Sequence, residues 1–162
     1  TFEPGKIAAN VNIDSPQVYG KTSDISFIGY GRSSVDKIAE TVANFQSRSI
    51  TGDQNPSAGY FYRSDHFSLA KIGVPSINYK GGSQFTGAQF SSIDVLQARY
   101  VAELYHQPSD EIESNWRYDG LVEDAQFGFY SGWLLTNQRE LPAWRPGDEF
   151  EAPRKKAIAN SN

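Results

Sequence analysis

Cysteine and methionine are both absent from this sequence of 162 residues. The lack of cysteine excludes disulfides, thiolate zinc sites and cysteine nucleophiles, and it is compatible with either redox environment. Methionine is missing even at position 1, where Thr1 stands. We therefore expect the sequence to be part of a longer protein.

Long apolar runs and blocks of like charge are missing as well. No run approaches the roughly 18 apolar residues of a membrane span, and the N-terminus lacks the basic and then apolar segments of a signal peptide. The 15 basic and 19 acidic residues give a net charge of −4 and are dispersed along the chain. We expect no membrane span and no nucleic-acid partner.

The residues that are present are typical of a folded domain. Hydrophobic residues make up 38% of the chain and charged residues 21%, and the aromatic residues are 3 Trp, 9 Tyr and 10 Phe. A chain of this length buries roughly 70% of the surface that it exposes when unfolded. The composition therefore predicts one compact domain and excludes an intrinsically disordered chain.

Hydrophobic spacing predicts strands alternating with helices, the pattern of an α/β fold. We expect strands over residues 6–14, 23–31 and 74–80, and helices over 33–45, 65–73, 93–104 and 119–137. Residues 49–62 are rich in Gly, Pro and polar side chains, which predicts a loop. Three prolines after residue 140 predict an irregular surface segment that frays after Phe150.

Two of these helices show a clear apolar face. Ser33 or Ser34 is expected to cap the first helix. The apolar face of that helix combines Val35, Ile38, Ala39, Val42 and Phe45. The predicted buried stripe of the helix over 119–137 combines Leu121, Val122, Ala125, Phe129, Trp133 and Leu134. Both faces are expected to be buried.

Several motifs of catalytic and nucleotide-binding proteins are missing. There is no G-x-S-x-G nucleophile elbow, which disfavours a serine hydrolase even though Ser, His and Asp are all present. There is no Walker A sequence and no G-x-G-x-x-G, and GYGRSS is too short to hold a pyrophosphate. The sequence gives no support for nucleotide binding.

Side chains able to bind a metal occur at predicted strand ends and loop junctions. Asp14 ends the first strand, the RSDH segment covers residues 63–66, and the YH pair is Tyr105 with His106. Oxygen and imidazole ligands without sulfur suit a catalytic zinc site. Zinc takes about three protein ligands in such sites. The chain offers too few obvious donors to complete one.

Five segments, taken together, resemble one protein family. They are NVNIDS, GYGRSSVD, RSDHFSLAKIGVPSI, YHQPSDE and DGLVEDAQFGFYSGWLL, and they occur in the family's order over residues 7–137. The sequence resembles the co-catalytic di-zinc aminopeptidases, metallopeptidases related to glutamate carboxypeptidase, the transferrin-receptor ectodomain and, more distantly, glutaminyl cyclase. The later PAWRPGDEF resembles the ending of one bacterial branch.

The resemblance implies a fold and a role for the main candidate residues. The fold would be a portion of a mixed, mostly parallel β-sheet flanked by helices. Asp14 matches a carboxylate ligand of one of two zinc ions, and His106 matches the imidazole ligand of the other. Tyr105 matches a catalytic tyrosine whose hydroxyl donates a hydrogen bond to the oxyanion of the tetrahedral intermediate.

Three further residues would line the same site. Asp65 and His66 match a pair that positions other groups without binding metal, and Arg63 is a candidate for binding substrate. Purely structural roles stay open for all six residues. They are an Asx turn before Pro16 for Asp14, a helix C-cap or surface position for His106, core packing for Tyr105, helix capping for Asp65 and His66, and a surface ion pair for Arg63.

The family's other metal ligands and its general base have no counterpart in this sequence. They come from a His-x-Asp segment and a Glu-Glu pair before the NVNID strand, and only thirteen residues precede Asp14. Residues 1–150 are therefore expected to be the C-terminal half of a zinc peptidase catalytic domain, and 151–162 a frayed tail. We expect the isolated chain to be inactive and to bind zinc weakly or not at all.

Two other functions stay open on the same scaffold. One is a non-catalytic peptidase-like binding domain, and the other is a glutaminyl cyclase-type acyltransferase with a single zinc. Tyr105 disfavours the cyclase, because that branch has Trp-His at this position. The expected partners are a peptide substrate, the missing N-terminal half and, through an exposed sheet edge, further copies of the chain. The resemblance favours a periplasmic or secreted protein.

Overall fold

The computed structural model describes residues 2–14, 18–87 and 90–161. In these ranges the chain forms strands β1 (Asn10–Ile13), β2 (Asp24–Ile28), β3 (Ser49–Gly52) and β4 (Ser76–Gly81). It also forms helices α1 (Asp36–Phe45), α2 (His66–Ala70), α3 (Phe90–Arg99), α4 (Tyr118–Thr136) and α5 (Glu151–Asn160). Short 3-10 turns lie at Pro4–Lys6, Pro56–Ala58 and Tyr60–Tyr62, and a π-helical turn at Tyr100–Leu104 follows α3.

The strands form one mixed sheet in the order β1-β4-β2-β3. β1 lies parallel to β4 and β2 lies parallel to β3, whereas β2 and β4 run antiparallel. The sheet is flanked by helices, so the predicted α/β fold with a mixed, mostly parallel sheet is confirmed. The predicted turn at Pro16 lies outside the described residues.

The two faces of the sheet carry different hydrophobic clusters, because successive side chains of a strand point to opposite sides. Phe27 belongs to the larger cluster, which β2 and β4 share with α1 and α4. The next residue, Ile28, packs instead against a cluster of Phe61, Trp144 and Phe150. Helix α2 lies on the same face as this second cluster and contacts β1 and β4. The sheet is thus the central layer of the domain.

Most elements lie where the hydrophobic spacing placed them, and the differences are at their ends. The strands predicted over 6–14, 23–31 and 74–80 and the helices predicted over 33–45, 65–73, 93–104 and 119–137 all overlap an observed element of the predicted type. Neither predicted serine caps α1, since the cap position is Val35 with no side-chain bond. The hydroxyl of Ser34 instead accepts a hydrogen bond from the Ala143 amide at 3.0 Å.

The loop predicted over 49–62 is wrong for its first four residues, which form β3. This strand pairs with β2 in a parallel register, Asp24 opposite Ser49 and Phe27 opposite Gly52. Four residues ending in glycine carry too little alternation to indicate a strand. The neighbouring strand supplies the hydrogen bonds that define it.

The buried stripe predicted for α4 is also wrong. The buried residues are Gly120, Asp124, Phe127, Ser131 and Leu135, whereas Val122, Phe129 and Trp133 are exposed. On α1, Phe45 is likewise exposed, although its spacing placed it on the core face. Both sides of α4 carry apolar residues, so periodicity alone leaves the rotation of the helix undetermined. Packing against α1 and the sheet selects the face.

A buried ion pair lies where α4 meets the chain between α1 and β3. Arg48 Nη1 lies 2.8 Å from Asp124 Oδ1, and both side chains are almost fully buried. Arg48 Nη2 also donates to Thr22 Oγ1 at 2.7 Å and to the Asp24 carbonyl at 2.9 Å. Burial raises the pKa of the Asp124 carboxyl, and the Arg48 charge opposes that rise. The buried carboxylate of α4, Asp124, is therefore matched to a specific partner.

The segment after Phe150 does not fray, contrary to the sequence prediction, but forms α5. Pro153 lies in the first turn of this helix, where its missing N–H would have no intrahelical partner. The buried guanidinium of Arg154 donates to the carbonyls of Pro142 at 3.0 Å, Ile7 at 2.9 Å and Ala8 at 3.0 Å. One side chain thereby joins α5 to the segment before β1.

Gly73 makes the close approach of α5 possible. Its φ is +89°, and a Cβ at this position would lie 2.4 Å from the backbone nitrogen of Arg154. Only glycine combines that dihedral angle with the absence of a side chain. The glycine that was predicted to end α2 therefore also contacts α5.

Arg154→Lys is expected to lower the free energy of unfolding by about 2–3 kcal/mol. Lysine keeps the charge, but a single ammonium cannot reproduce the planar fork that reaches carbonyls of different segments, and it leaves buried acceptors unpaired. Urea denaturation followed by circular dichroism measures the loss. Arg139→Lys is the matched control, because Arg139 is exposed. Equal stability of the two variants would contradict the assigned role of Arg154.

Tyr79 should give the folded state a specific sensitivity to alkali. Its buried hydroxyl donates to the Asp124 carbonyl at 2.8 Å, and burial raises its pKa to about 12. Because the unfolded chain loses this proton near pH 10, the contribution of Tyr79 is complete below pH 10 and is lost as the pH rises through about 12. The expected loss is about 3 kcal/mol.

The measurement compares urea denaturation of the wild type and Tyr79→Phe across that pH range. The stability of the wild type should fall relative to that of the variant as the pH rises. Tyr118→Phe is the control, because Tyr118 is half-exposed and should leave the pH dependence unchanged. Parallel curves for the wild type and Tyr79→Phe would contradict the prediction.

None of the helices in the described part of the chain combines the length and the apolarity needed to cross a membrane.

Candidate active site

The first candidate residue, Asp14, directly follows the last residue of β1. Its side chain is exposed at the end of the strand. The neighbouring β4 is parallel to β1, with Ile13 opposite Tyr79. Ligand sites of open α/β sheets lie beyond the carboxyl ends of their strands. Asp14 therefore occupies a position suited to binding a ligand.

His66 begins α2, the helix that packs on β1 and β4, and only 1% of it is exposed. Its ring meets that of Phe61 edge-on, with centroids 4.7 Å apart. Neither ring nitrogen has a hydrogen-bond partner among the described residues. Burial lowers the pKa of His66 to about 4, the Asp14 carboxylate opposes this, and Arg32 reinforces it. His66 is therefore a neutral ring at pH 7 within electrostatic reach of Asp14.

Asp65 and Arg63 precede α2 and are exposed. Asp65 occupies the N-cap position of α2, but its side chain makes no capping bond. Among the residues that the structure describes, no ion pair involves Arg63. Both side chains are accessible to solvent at the N-terminal end of α2, next to His66.

Tyr105 and His106 follow the π-helical turn after α3. Their rings stack with centroids 3.9 Å apart and planes 25° apart, and both side chains are exposed. His106 has φ +61°, an uncommon left-handed conformation for a residue other than glycine. The Gln107 amide donates to the Leu104 carbonyl at 2.8 Å and closes the turn. The backbone thus presents the phenol and the imidazole side by side.

The structure brings these candidates together in two groups, Asp14 with His66 and Tyr105 with His106. Across the described ranges, no group of three or more His, Cys, Asp or Glu residues is placed to hold a metal ion. Asp14 and His106 supply one carboxylate and one imidazole, both exposed and both suited to zinc. The described residues therefore include side chains of the types that zinc binds, but they form no complete metal site.

Arg32 and Phe61 belong to the surroundings of His66 and were not predicted from the sequence. The Arg32 guanidinium lies 4.2 Å from the centre of the Phe61 ring. It also donates to Asp148 at 2.8 Å and to Glu149 at 2.9 Å. Arg32 lies in the GYGRSS segment, and Asp148 and Glu149 lie in the PGDEF segment. Neither sequence pattern indicates that the two segments are in contact. The contact joins residues more than 110 positions apart in the chain.

Comparison with known protein families identifies the relationship. The model of peptidase family M28 matches residues 3–128. The chain belongs to peptidase family M28. This is the co-catalytic zinc aminopeptidase family that the sequence motifs indicated. No curated protein and no solved structure matches the chain.

Membership of family M28 identifies the chain as belonging to a peptidase, a hydrolase. The matched region includes β1 to β4, the turn that carries Tyr105 and His106, and the first half of α4. The family is generally zinc-dependent. The oxygen and imidazole donors at Asp14 and His106 are of the kind that zinc binds, but they do not suffice for a metal centre.

Proposed function

We propose that this chain is the C-terminal half of the catalytic domain of a zinc-dependent aminopeptidase, which removes N-terminal residues from peptides. Membership of family M28 supports a peptidase, and the placement of Asp14 at the end of β1 carries the assignment of the site. A bound zinc pair would activate a water molecule and polarise the scissile carbonyl. The substrate is a peptide with a free N-terminus.

Each residue of the proposed site has a separate task. Asp14 would hold one zinc ion and His106 the other, each from an exposed position that metal and substrate can reach. Tyr105 is stacked on His106, which places its hydroxyl beside that imidazole, where it would donate a hydrogen bond to the oxyanion of the tetrahedral intermediate. The buried ring of His66 limits the space around Asp14, and Asp65 and Arg63 face the substrate.

The remaining ligands and the general base belong to the other half of the domain. This chain contains two histidines, one of them buried, so it presents a single exposed imidazole. A co-catalytic site in which each metal has about three protein ligands needs donors beyond these. The isolated chain therefore binds zinc weakly and has no peptidase activity until it pairs with a segment that carries the His-x-Asp and Glu-Glu motifs.

The test compares this chain alone with a longer protein in which the two missing motifs precede it. Zinc content is measured on both proteins, together with hydrolysis of a leucine anilide and of its N-acetylated form. Two zinc ions and cleavage of only the unblocked substrate by the longer protein support the proposal. A longer protein that carries both motifs yet binds no zinc would contradict it.

The same measurements separate the aminopeptidase from its two rivals. Zinc binding without hydrolysis of any peptide would favour a non-catalytic binding domain. A single zinc ion with cyclisation of N-terminal glutamine would favour a glutaminyl cyclase-type acyltransferase. The Tyr105–His106 pair favours the peptidase, because the stacked phenol supplies a hydroxyl donor where the cyclase resemblance expects an indole.

A further inference from the structure

One side of α4 bears an uncovered cluster of large apolar side chains, which we name the α4 aromatic face. Its members are Phe45, Val122, Phe129, Tyr130 and Trp133, and their exposed fractions range from 37% to 74%. The ring of Tyr130 contacts Phe45 at 5.6 Å and Phe129 at 5.4 Å between centroids. Phe45 ends α1, so two helices contribute to one continuous surface.

The size of this face exceeds what an isolated apolar residue exposes. Large aromatic side chains cover about 150–250 Å² each when buried. At the observed exposures, the aromatic members leave roughly 350–600 Å² of apolar surface open. Two such faces in contact would bury on the order of 1,000 Å², the area at which a specific interface begins. The α4 aromatic faces of two copies are therefore together large enough for a specific interface.

The spacing of the exposed residues along α4 suits pairing with an identical helix. Val122, Gln126, Phe129 and Trp133 are all exposed and follow one another at intervals of four, three and four residues. This is the spacing at which two helices form a continuous seam. The intervals are the same when read in either direction, so an antiparallel copy presents the same pattern.

An antiparallel arrangement also matches large side chains with small ones. Val122 of one copy would lie opposite Trp133 of the other, and Gln126 would lie opposite Phe129. Helix dipoles favour antiparallel neighbours. The charges at the ends of the seam are balanced within each copy, since Arg117 pairs with Asp119 at 2.9 Å and Arg139 adjoins Glu140. No excess of like charge opposes the contact.

We propose that the α4 aromatic face is the interface of a symmetric dimer in which the α4 helices of two copies pack antiparallel. The contact is isologous, because each copy contributes the same residues around a two-fold axis. The axis passes between Gln126 and Phe129, near the middle of α4. This interface is independent of Asp14, Tyr105 and His106 and does not depend on the proposed peptidase activity.

Sedimentation equilibrium of the full 162-residue chain tests the proposal over a range of protein concentrations. Phe129→Glu and Trp133→Glu should each raise the dimer dissociation constant by about tenfold or more. Ile112→Glu is the matched control, because Ile112 is an apolar residue outside the face that is at least as exposed as Phe129 and Trp133, and it should leave the constant unchanged. Circular dichroism verifies that each variant is folded, which the exposure of all three side chains favours.

A distance measurement tests the orientation. The chain lacks cysteine, so Gln126→Cys and Thr136→Cys each provide one site for a spin label. In the antiparallel dimer the two copies of position 126 are about 10 Å apart and those of position 136 about 25 Å apart, from the helix rise and the usual interaxial distance. A parallel pair would give about 10 Å at both positions and would overturn the proposed arrangement.

Four further results would overturn the interface itself. They are a monomer at every concentration up to about 0.2 mM, a dimer that Phe129→Glu leaves intact, equal weakening by Ile112→Glu, and a monomeric longer protein, in which the missing half of the domain would cover the face instead. A dimer that is selectively dissociated by both glutamate variants and that shows the two unequal distances would support it.

Discussion

Replacement of His106 by alanine is expected to lower kcat/KM of the zinc-loaded enzyme by about a thousandfold or more, equivalent to ~4 kcal/mol of transition-state stabilisation. The proposed role of His106 is to hold one zinc ion, and a catalytic zinc with about three protein ligands loses one of them in the variant. The measurement is steady-state hydrolysis of a leucine anilide by the longer protein that carries the complete motif set. Zinc content measured on the same preparation should fall below two ions per molecule.

Two companion variants separate metal binding from other roles of this turn. Asparagine tolerates the left-handed conformation that His106 adopts at φ +61°, so His106→Asn keeps the backbone while removing the imidazole. It should lose activity as His106→Ala does. Gln107→Ala, at the exposed neighbouring position, should remain within about threefold of the wild type. Full zinc content and activity in His106→Asn would contradict the assignment of a ligand.

Replacement of Asp124 by alanine is expected to lower the free energy of unfolding by about 3–5 kcal/mol. The Arg48 guanidinium lies 2.8 Å from this carboxylate, and both side chains are almost fully buried. Removing the acid leaves a positive charge in the core without a counter-ion, because the other partners of Arg48 are a hydroxyl, an amide oxygen and a carbonyl. Urea denaturation at neutral pH measures the loss.

The double variant Arg48→Met/Asp124→Leu provides the comparison for this ion pair. It removes both charges and replaces them with apolar side chains of similar length, so it should be more stable than Asp124→Ala. Asp119→Ala is the exposed control, because its ion pair with Arg117 lies at the surface and is worth about 1 kcal/mol at most. A loss below about 1 kcal/mol in Asp124→Ala would show that the buried pair does not stabilise the fold.

Part of the candidate site could be predicted because its residues lie at the ends of local elements. The alternation before Asp14 and the apolar spacing after His66 indicate where β1 and α2 lie, so both residues were placed at junctions. Arg32 could not be found in this way. Its contacts with Phe61, Asp148 and Glu149 depend on three segments that meet only in the folded chain. Whether Asp14 and His106 share a metal pair stays a prediction.

The errors in the predicted fold also arise from contacts between segments that are distant in the sequence. β3 forms because β2 supplies hydrogen-bond partners for four residues whose own sequence does not specifically favour a strand. The C-terminal segment is held in place as α5 because Arg154 donates hydrogen bonds to the Ile7 and Ala8 carbonyls of the N-terminal segment. In α4 the apolar residues surround the helix, and the Arg48–Asp124 pair helps to fix which side is buried. In each case the deciding contact joins residues that are distant in sequence or belong to different elements.

The sequence by itself determined the family, three of the four described strands and four of the five described helices, and the strand end and turn that carry Asp14, Tyr105 and His106. Those features follow from motif order and from periodicities of two and 3.6 residues, which act within a few neighbouring positions. Only the tertiary structure decided the strand order, the buried side of α4, the helical C-terminus and the neutral, enclosed state of His66. These features depend on long-range packing and on desolvation, which no local pattern specifies.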